Sequence, residues 1–248
     1  MPAHERQARG AFFTPAWLVE RVVEAVSPFV PARGPLRIID PSCGAGAFLV
    51  AAAHRWPRAE LQGVELNPTS ALRCRHRVPG ARVHVADALL DEPLPPRGDG
   101  FELWLGNPPY NGTSPLLKTP RAWATACGWM PPGVALQRGT SLREDFVFFL
   151  LKASLRLQGT PGALAFITST SLLDAWAHAP VREALASRMQ LREVIRLDAG
   201  TFRGTQVRPC VTVWTTPARG AGVPFKAVSR EARALHARWQ AHGAARGR

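Results

Sequence analysis

A single tyrosine, lysine only at positions 118, 152 and 226, and no apolar run of membrane-spanning length bound what this chain can be. Without such a run a spanning helix is excluded. Without an apolar signal core in Met1-Pro2-Ala3-His4-Glu5-Arg6, a cytoplasmic protein with no membrane partner is expected. Cysteine is scarce as well. Cys43, Cys74, Cys127 and Cys210 show no CxxC pair and no His/Cys spacing, so reduced, mostly buried thiols are expected in place of disulfides, and no metal. The shortage of acid is the most telling. Against 31 Lys and Arg stand only 18 Asp and Glu, and the net charge of +13 attracts polyanions, nucleic acid first. That excess is carried by arginine, a preference that coding composition also produces. The arginines are scattered, denser around Arg73, Arg75 and Arg77 and near the C-terminus, so charge alone leaves a merely soluble basic protein open.

What is present is an ordinary globular composition, 46% hydrophobic and 20% charged over 248 residues, for which one domain is the default. Thr14-Pro15 suits a helix start, with Thr14 as cap and Pro15 in the first turn. Leu18, Val22, Ala25, Val26 and Phe29 follow at helical spacing until Pro31. Strands are expected over 37–40, 61–66, 83–87, 101–106, 163–167, 191–197 and 210–215. Helices are expected over 45–55, from Asn67-Pro68 through Arg77, and over 144–157 and 180–189, with a weak one over 231–240. Strands alternating with helices imply βαβ units and a parallel sheet covered on both faces. Residues 111–142 break the rhythm with Pro115, Pro120, Pro131, Pro132 and several glycines, a loop long enough to be functional.

The lone tyrosine closes Leu105-Gly106-Asn107-Pro108-Pro109-Tyr110, at the end of the fourth strand. Asn107 brings an amide oxygen, the prolines hold the backbone extended, and Tyr110 offers a flat face. Together they suit gripping an exocyclic amino group while stacking on its ring, and ligands gather at the carboxyl ends of strands in open α/β sheets. A proline-rich turn with a packed tyrosine is the plain alternative, and the upstream residues weaken it. In Asp40-Pro41-Ser42-Cys43-Gly44-Ala45-Gly46-Ala47-Phe48-Leu49, the glycines sit at a strand-to-helix turn where a ligand can lie on bare backbone. Glu65 closes the second strand and suits the two hydroxyls of a ribose. Asp87 closes the third, where it can accept from an adenine amino group. Singly each reads as well as a surface acid or a cap; four polar groups at four successive strand ends do not.

With these motifs the chain resembles the S-adenosylmethionine-dependent amino-methyltransferases that act on adenine N6 in DNA, with the cofactor region ahead of the catalytic one. The resemblance runs from Gly10 to about Trp214. It implies a doubly wound, mostly parallel seven-stranded sheet with helices on both faces, the Rossmann-like class I methyltransferase fold, over residues 1–216, with 217–248 a basic tail. Gly10-Ala11-Phe12-Phe13-Thr14-Pro15 matches the N-terminal cofactor motif, with Thr14 near the methionine moiety. Asp40, Ser42, Gly44 and Gly46 belong to the glycine-rich motif, Glu65 to the ribose motif and Asp87 to the adenine motif. Phe149 fits the position bordering the cofactor adenine, with Phe146 a close rival. Asn107, Pro108 and Tyr110 form the catalytic motif, Asn107 also facing the cofactor, and Phe202 fits the aromatic that joins Tyr110 in stacking on a flipped base.

Members that read a specific duplex sequence usually carry a large recognition domain after the last strand, and only a short basic segment follows Trp214. A partner or specificity subunit, little sequence preference, or a substrate of RNA or single-stranded DNA would each account for that. The motif also serves methylation of a protein glutamine amide, against which stand Gly10–Pro15, the Phe202 region and the charge. A non-catalytic cofactor-sensing subunit is the third reading, opposed by intact Asn107 and Tyr110. Methylation of adenine N6 in DNA, in a restriction–modification setting, leads.

Overall fold

Seven strands form one sheet in the order β3-β2-β1-β4-β5-β7-β6: β1 Leu36–Asp40, β2 Glu60–Glu65, β3 Arg82–Val85, β4 Phe101–Gly106, β5 Gly162–Ser169, β6 Gln190–Arg196 and β7 Pro209–Thr215. The computed structural model describes residues 14–110, 126–132, 144–202, 207–217 and 230–246. Gly10 to Phe13 of the N-terminal motif, and 111–125 and 133–142 of the long loop, lie outside the described residues.

The first helix, α1 (Ala16–Val26), buries Leu18, Val19, Val22, Val23 and Val26 along one stripe. Its start differs from expectation. Pro15 is the N-cap, its carbonyl accepting from Leu18 N–H and Val19 N–H, and Thr14 makes no capping bond. A short 3₁₀ turn at Ser27–Phe29 closes the helix. Gly46, at φ +84°, starts α2 (Ala47–Arg55), and a Cβ there would meet Cys74 Sγ at 2.7 Å, so the turn needs glycine for both reasons. The Asn67 side chain accepts from Ser70 N–H at 3.0 Å to cap α3 (Pro68–Arg77). The next helix, α4 (Phe146–Leu157), is apolar nearly all round and is buried accordingly. After β5 come a short α5 (Ser171–Asp174), absent from the sequence reading, and α6 (Ala179–Arg188).

The β1, β2, β3, β4 and β5 strands are mutually parallel, but β7 runs antiparallel to both β5 and β6. The sheet is therefore mixed: mostly parallel, as expected, with β7 the antiparallel strand that the alternation of strands and helices alone does not give. All seven residues of β7 are buried, and a strand that is apolar on both faces carries no mark of its direction. The segment read as a basic tail contains α7 (Arg230–Arg246), whose Trp239 stacks on Trp214 of β7 at 5.8 Å.

From β1 the chain crosses outward through α2 to β2, whereas from β4 it crosses the other way through α4 to β5. Right-handed crossovers in opposite directions put α2 and α4 on opposite faces. The reversal between β1 and β4 is the switch point where such sheets bind ligands, at the carboxyl ends of the two strands. At the other end, buried Glu102 holds β4 in place. It accepts from Arg156 Nε at 2.8 Å and Trp104 Nε1 at 2.9 Å, with Arg37 and Arg97 each at 3.8 Å. Among the described residues no helix is long and apolar enough to cross a membrane.

Candidate active site

The site forms where β1 and β4 end. Asp40 is the last residue of β1, is 1% exposed, and accepts from Ser42 N–H at 3.1 Å. A Cβ on Gly106, the last residue of β4, would stand 2.9 Å from Asp40 Oδ1. The sequence reading missed Gly106, yet its lack of a side chain is what lets the Asp40 carboxyl lie over the strand end. Burial raises the Asp40 pKa well above the usual carboxylate range, and the Ser42 N–H opposes the rise only in part.

Glu65 sits as expected at the end of β2, and both its oxygens take backbone donors: Gly44 N–H to Oε2 and Asn67 N–H to Oε1, each at 2.8 Å. It thus ties the glycine-rich turn to the start of α3. Each carboxylate oxygen keeps capacity for a further donor. Gly44, at φ +53°, has open space where a Cβ would point, so its backbone is approachable. Asp87 lies two residues beyond β3 and does not close it. There Oδ1 accepts from Leu89 N–H at 2.8 Å and Leu90 N–H at 3.2 Å, folding residues 87–90 into a turn. Lys152 of α4 reaches this turn, donating to Leu89 O at 3.3 Å and Asp91 O at 2.8 Å. Phe149 lies one helical turn before Lys152 and is buried. Its rival Phe146 instead packs edge-on against Tyr110, with centroids 6.0 Å apart.

The catalytic-motif residues form one hydrogen-bonded chain. Tyr110 O–H donates to Asn107 Oδ1 at 2.9 Å, and Asn107 Nδ2 donates to Thr14 Oγ1 at 3.1 Å. Thr14, expected to cap α1, instead spends its hydroxyl on Asn107. Burial pushes the Tyr110 phenol well above its ordinary range, so it stays protonated as a donor. Pro108 is buried between them.

The two aromatics expected to sandwich a base touch each other. Tyr110 and Phe202 are each 3% exposed, with centroids 6.2 Å apart and planes tilted by 51°. A base between parallel rings needs roughly 6.8 Å, two stacking distances of about 3.4 Å. The two rings therefore stand too close for a base to lie between them. Beside the rings lies a group that no sequence motif announced: Ser171 Oγ donates to Glu144 Oε2 at 2.6 Å, and His178 Nε2 lies 3.5 Å from the same oxygen. Burial lowers the His178 pKa against the pull of Glu144, so the pair is not a simple ion pair.

The switch-point site and the sheet order define a class I methyltransferase-like α/β protein. A crystal structure of a putative class I S-adenosylmethionine-dependent methyltransferase from Listeria monocytogenes superposes with a TM-score of 0.65 over 92% of this chain and 71% of that one, at 14% identity. A type I restriction-modification methyltransferase subunit from Streptococcus thermophilus gives a TM-score of 0.61 over 86% and 46%, at 23% identity. The family model described as N-6 DNA Methylase matches residues 2–229, and the chain belongs to that family. It is 31% identical over 193 residues to the type II methyltransferase M.XamI of Xanthomonas campestris pv. amaranthicola, covering 75% of this chain and 34% of the relative. It is 23% identical over 217 residues to the modification methylase CviBIII of Paramecium bursaria Chlorella virus NC1A, covering 87% and 52%. The chain thus spans between a third and about half of these curated relatives.

Proposed function

We propose that this chain is the catalytic part of a DNA methyltransferase that moves a methyl group from S-adenosylmethionine to N6 of adenine. The observation that carries this reading is Asn107, clamped between Thr14 and Tyr110 at the switch point, next to the glycine-rich turn that Glu65 holds open. Family membership and the names of the relatives support it. The residues present fit the cofactor. An approachable Gly44 backbone, a carboxylate beside it and the turn at Asp87 match the amino-acid, ribose and adenine parts of such a molecule in order.

When bound, that cofactor supplies an electrophilic methyl group. The chain's own part is to hold the target nitrogen. Asn107 Oδ1 keeps a lone pair beyond the one given to Tyr110, and with the Pro108 carbonyl it accepts from the two amino hydrogens. Those bonds draw the nitrogen toward tetrahedral geometry and concentrate its lone pair. No strong base is needed, since the proton becomes acidic only after the new bond forms. Catalysis is then positioning and preorganised electrostatics. Tyr110 and Phe202 stack on the extruded base, offsetting part of an unstacking cost of a few kcal/mol. A specificity subunit or further domain supplying target recognition belongs to this reading, as does catalysis by residues 1–216. Incubating the protein and labelled cofactor with duplex DNA, single-stranded DNA, RNA and protein tests it. Label on adenine N6 of DNA is the expected result; label only on RNA or on glutamine amides would replace the reading.

A further inference from the structure

A polar groove of about 670 Å³ opens at the carboxyl end of β5, walled by Glu144, Ser169, Thr170, Ser171, Asp174 and Arg208. It adjoins the catalytic strand, since β5 pairs with β4, and Phe146, two residues after Glu144, packs edge-on against Tyr110. Its walls are braced. Ser171 N–H donates to Ser169 Oγ at 3.2 Å, and Thr170 N–H donates to Arg208 O at 2.8 Å, joining the end of β5 to the start of β7. Buried Arg182 donates from Nη1 to Leu172 O at 3.0 Å and Ala175 O at 2.7 Å. That fixes the turn leading out of the groove from Ala175, on which Trp176 stands 71% exposed. An indole held in water on a rigid turn beside a catalytic site loses little freedom on meeting a partner.

The chemistry of the walls selects the partner. Glu144 and Asp174 repel phosphate, in a chain whose net charge is otherwise +13. Glu144 spends Oε2 on Ser171 and His178, and its Oε1 makes no hydrogen bond to a described residue. Carboxylates accept from exocyclic base amino groups, and an exposed indole stacks on any base face. We propose that this groove takes a nucleobase neighbouring the target adenine, one that carries an exocyclic amino group. Trp176 stacks on its ring, and Asp174 and Glu144 accept from its amino group. The proposal rests on the methyltransferase reading and names the second part of the substrate that the same face engages.

Cytosine and thymine test it, because only cytosine has the amino group. Labelled single-stranded homopolymers of each are titrated by fluorescence anisotropy against the wild-type chain and its Trp176→Ala, Asp174→Ala, Glu144→Ala and Arg208→Ala variants. Trp176 and Asp174 are exposed, so their variants keep the fold. The wild type is expected to bind oligo-deoxycytidine several-fold tighter than oligo-thymidine. Trp176→Ala should weaken both by about five- to 150-fold, the range of one lost stacking contact. Asp174→Ala and Glu144→Ala should shrink the difference between the two. Unchanged binding in Trp176→Ala, or an unchanged preference in both carboxylate variants, overturns the proposal. So does a loss confined to Arg208→Ala, which would assign the groove to backbone phosphate. Methyl transfer to adenine by the wild type, read in parallel, tests the enzyme reading separately: its failure with base-selective binding intact would strike that reading and spare the groove.

Discussion

The Tyr110 hydroxyl donates to the side-chain oxygen of Asn107 at 2.9 Å, so the aromatic proposed to stack on the base also aims the amide proposed to grip it. Thr14 completes the clamp from the other side of the amide at 3.1 Å. A free asparagine amide can swing out of place; this one is held at both ends by hydroxyl groups.

Tyr110→Phe keeps the ring among Phe146 and Phe202 and removes only the donor. We expect it to retain most base stacking and to slow transfer by about two- to twelvefold, the worth of one neutral hydrogen bond at about 0.5–1.5 kcal/mol. Single-turnover kinetics give the rate. A fall as large as that of Tyr110→Ala would mean that the hydroxyl has a further role.

Thr14→Val leaves Asn107 Nδ2 without its acceptor, at about 1–3 kcal/mol. The rate of transfer should drop while cofactor affinity holds, and Thr14→Ser should restore it. If Thr14 served only the cofactor, cofactor KM would rise and kcat would stay. Steady-state kinetics with varied cofactor separates the two.

Glu65→Ala frees the Gly44 and Asn67 amides as well as the expected ribose contact. Cofactor affinity should fall by about 1.5–3 kcal/mol, and thermal stability should fall even without cofactor, because the glycine-rich turn loses its tie. Unchanged affinity by calorimetry would remove Glu65 from the cofactor site.

Much of this was legible in the residues. The ends of β1, β2 and β4 are marked by Asp40, Glu65 and Asn107, because a polar group after a buried apolar run shows where the strand leaves the core. Three things were not legible. The direction of β7 is hidden by its uniform burial. The part of Thr14 depends on a hydrogen bond between residues 14 and 107, which no local pattern reports. The Glu144–Ser171–His178 group gathers three separate segments and has no motif spacing.

Asp40 makes stability depend on pH. Its folded pKa lies well above that of the unfolded chain, chiefly through burial. Between the two values the folded protein binds more protons, so stability is full below the ordinary carboxylate range and falls as pH rises through the raised pKa. Asp40→Asn should flatten that part of the Tm profile. The same slope in both proteins would mean that Asp40 titrates normally.

The most direct test of the account is Asn107→Ala, assayed twice. Calorimetry should find S-adenosylmethionine bound nearly as in the wild type, while labelled cofactor should leave no methyl group on adenine N6 of DNA. Transfer at the wild-type rate by this variant would contradict the catalytic role given to Asn107.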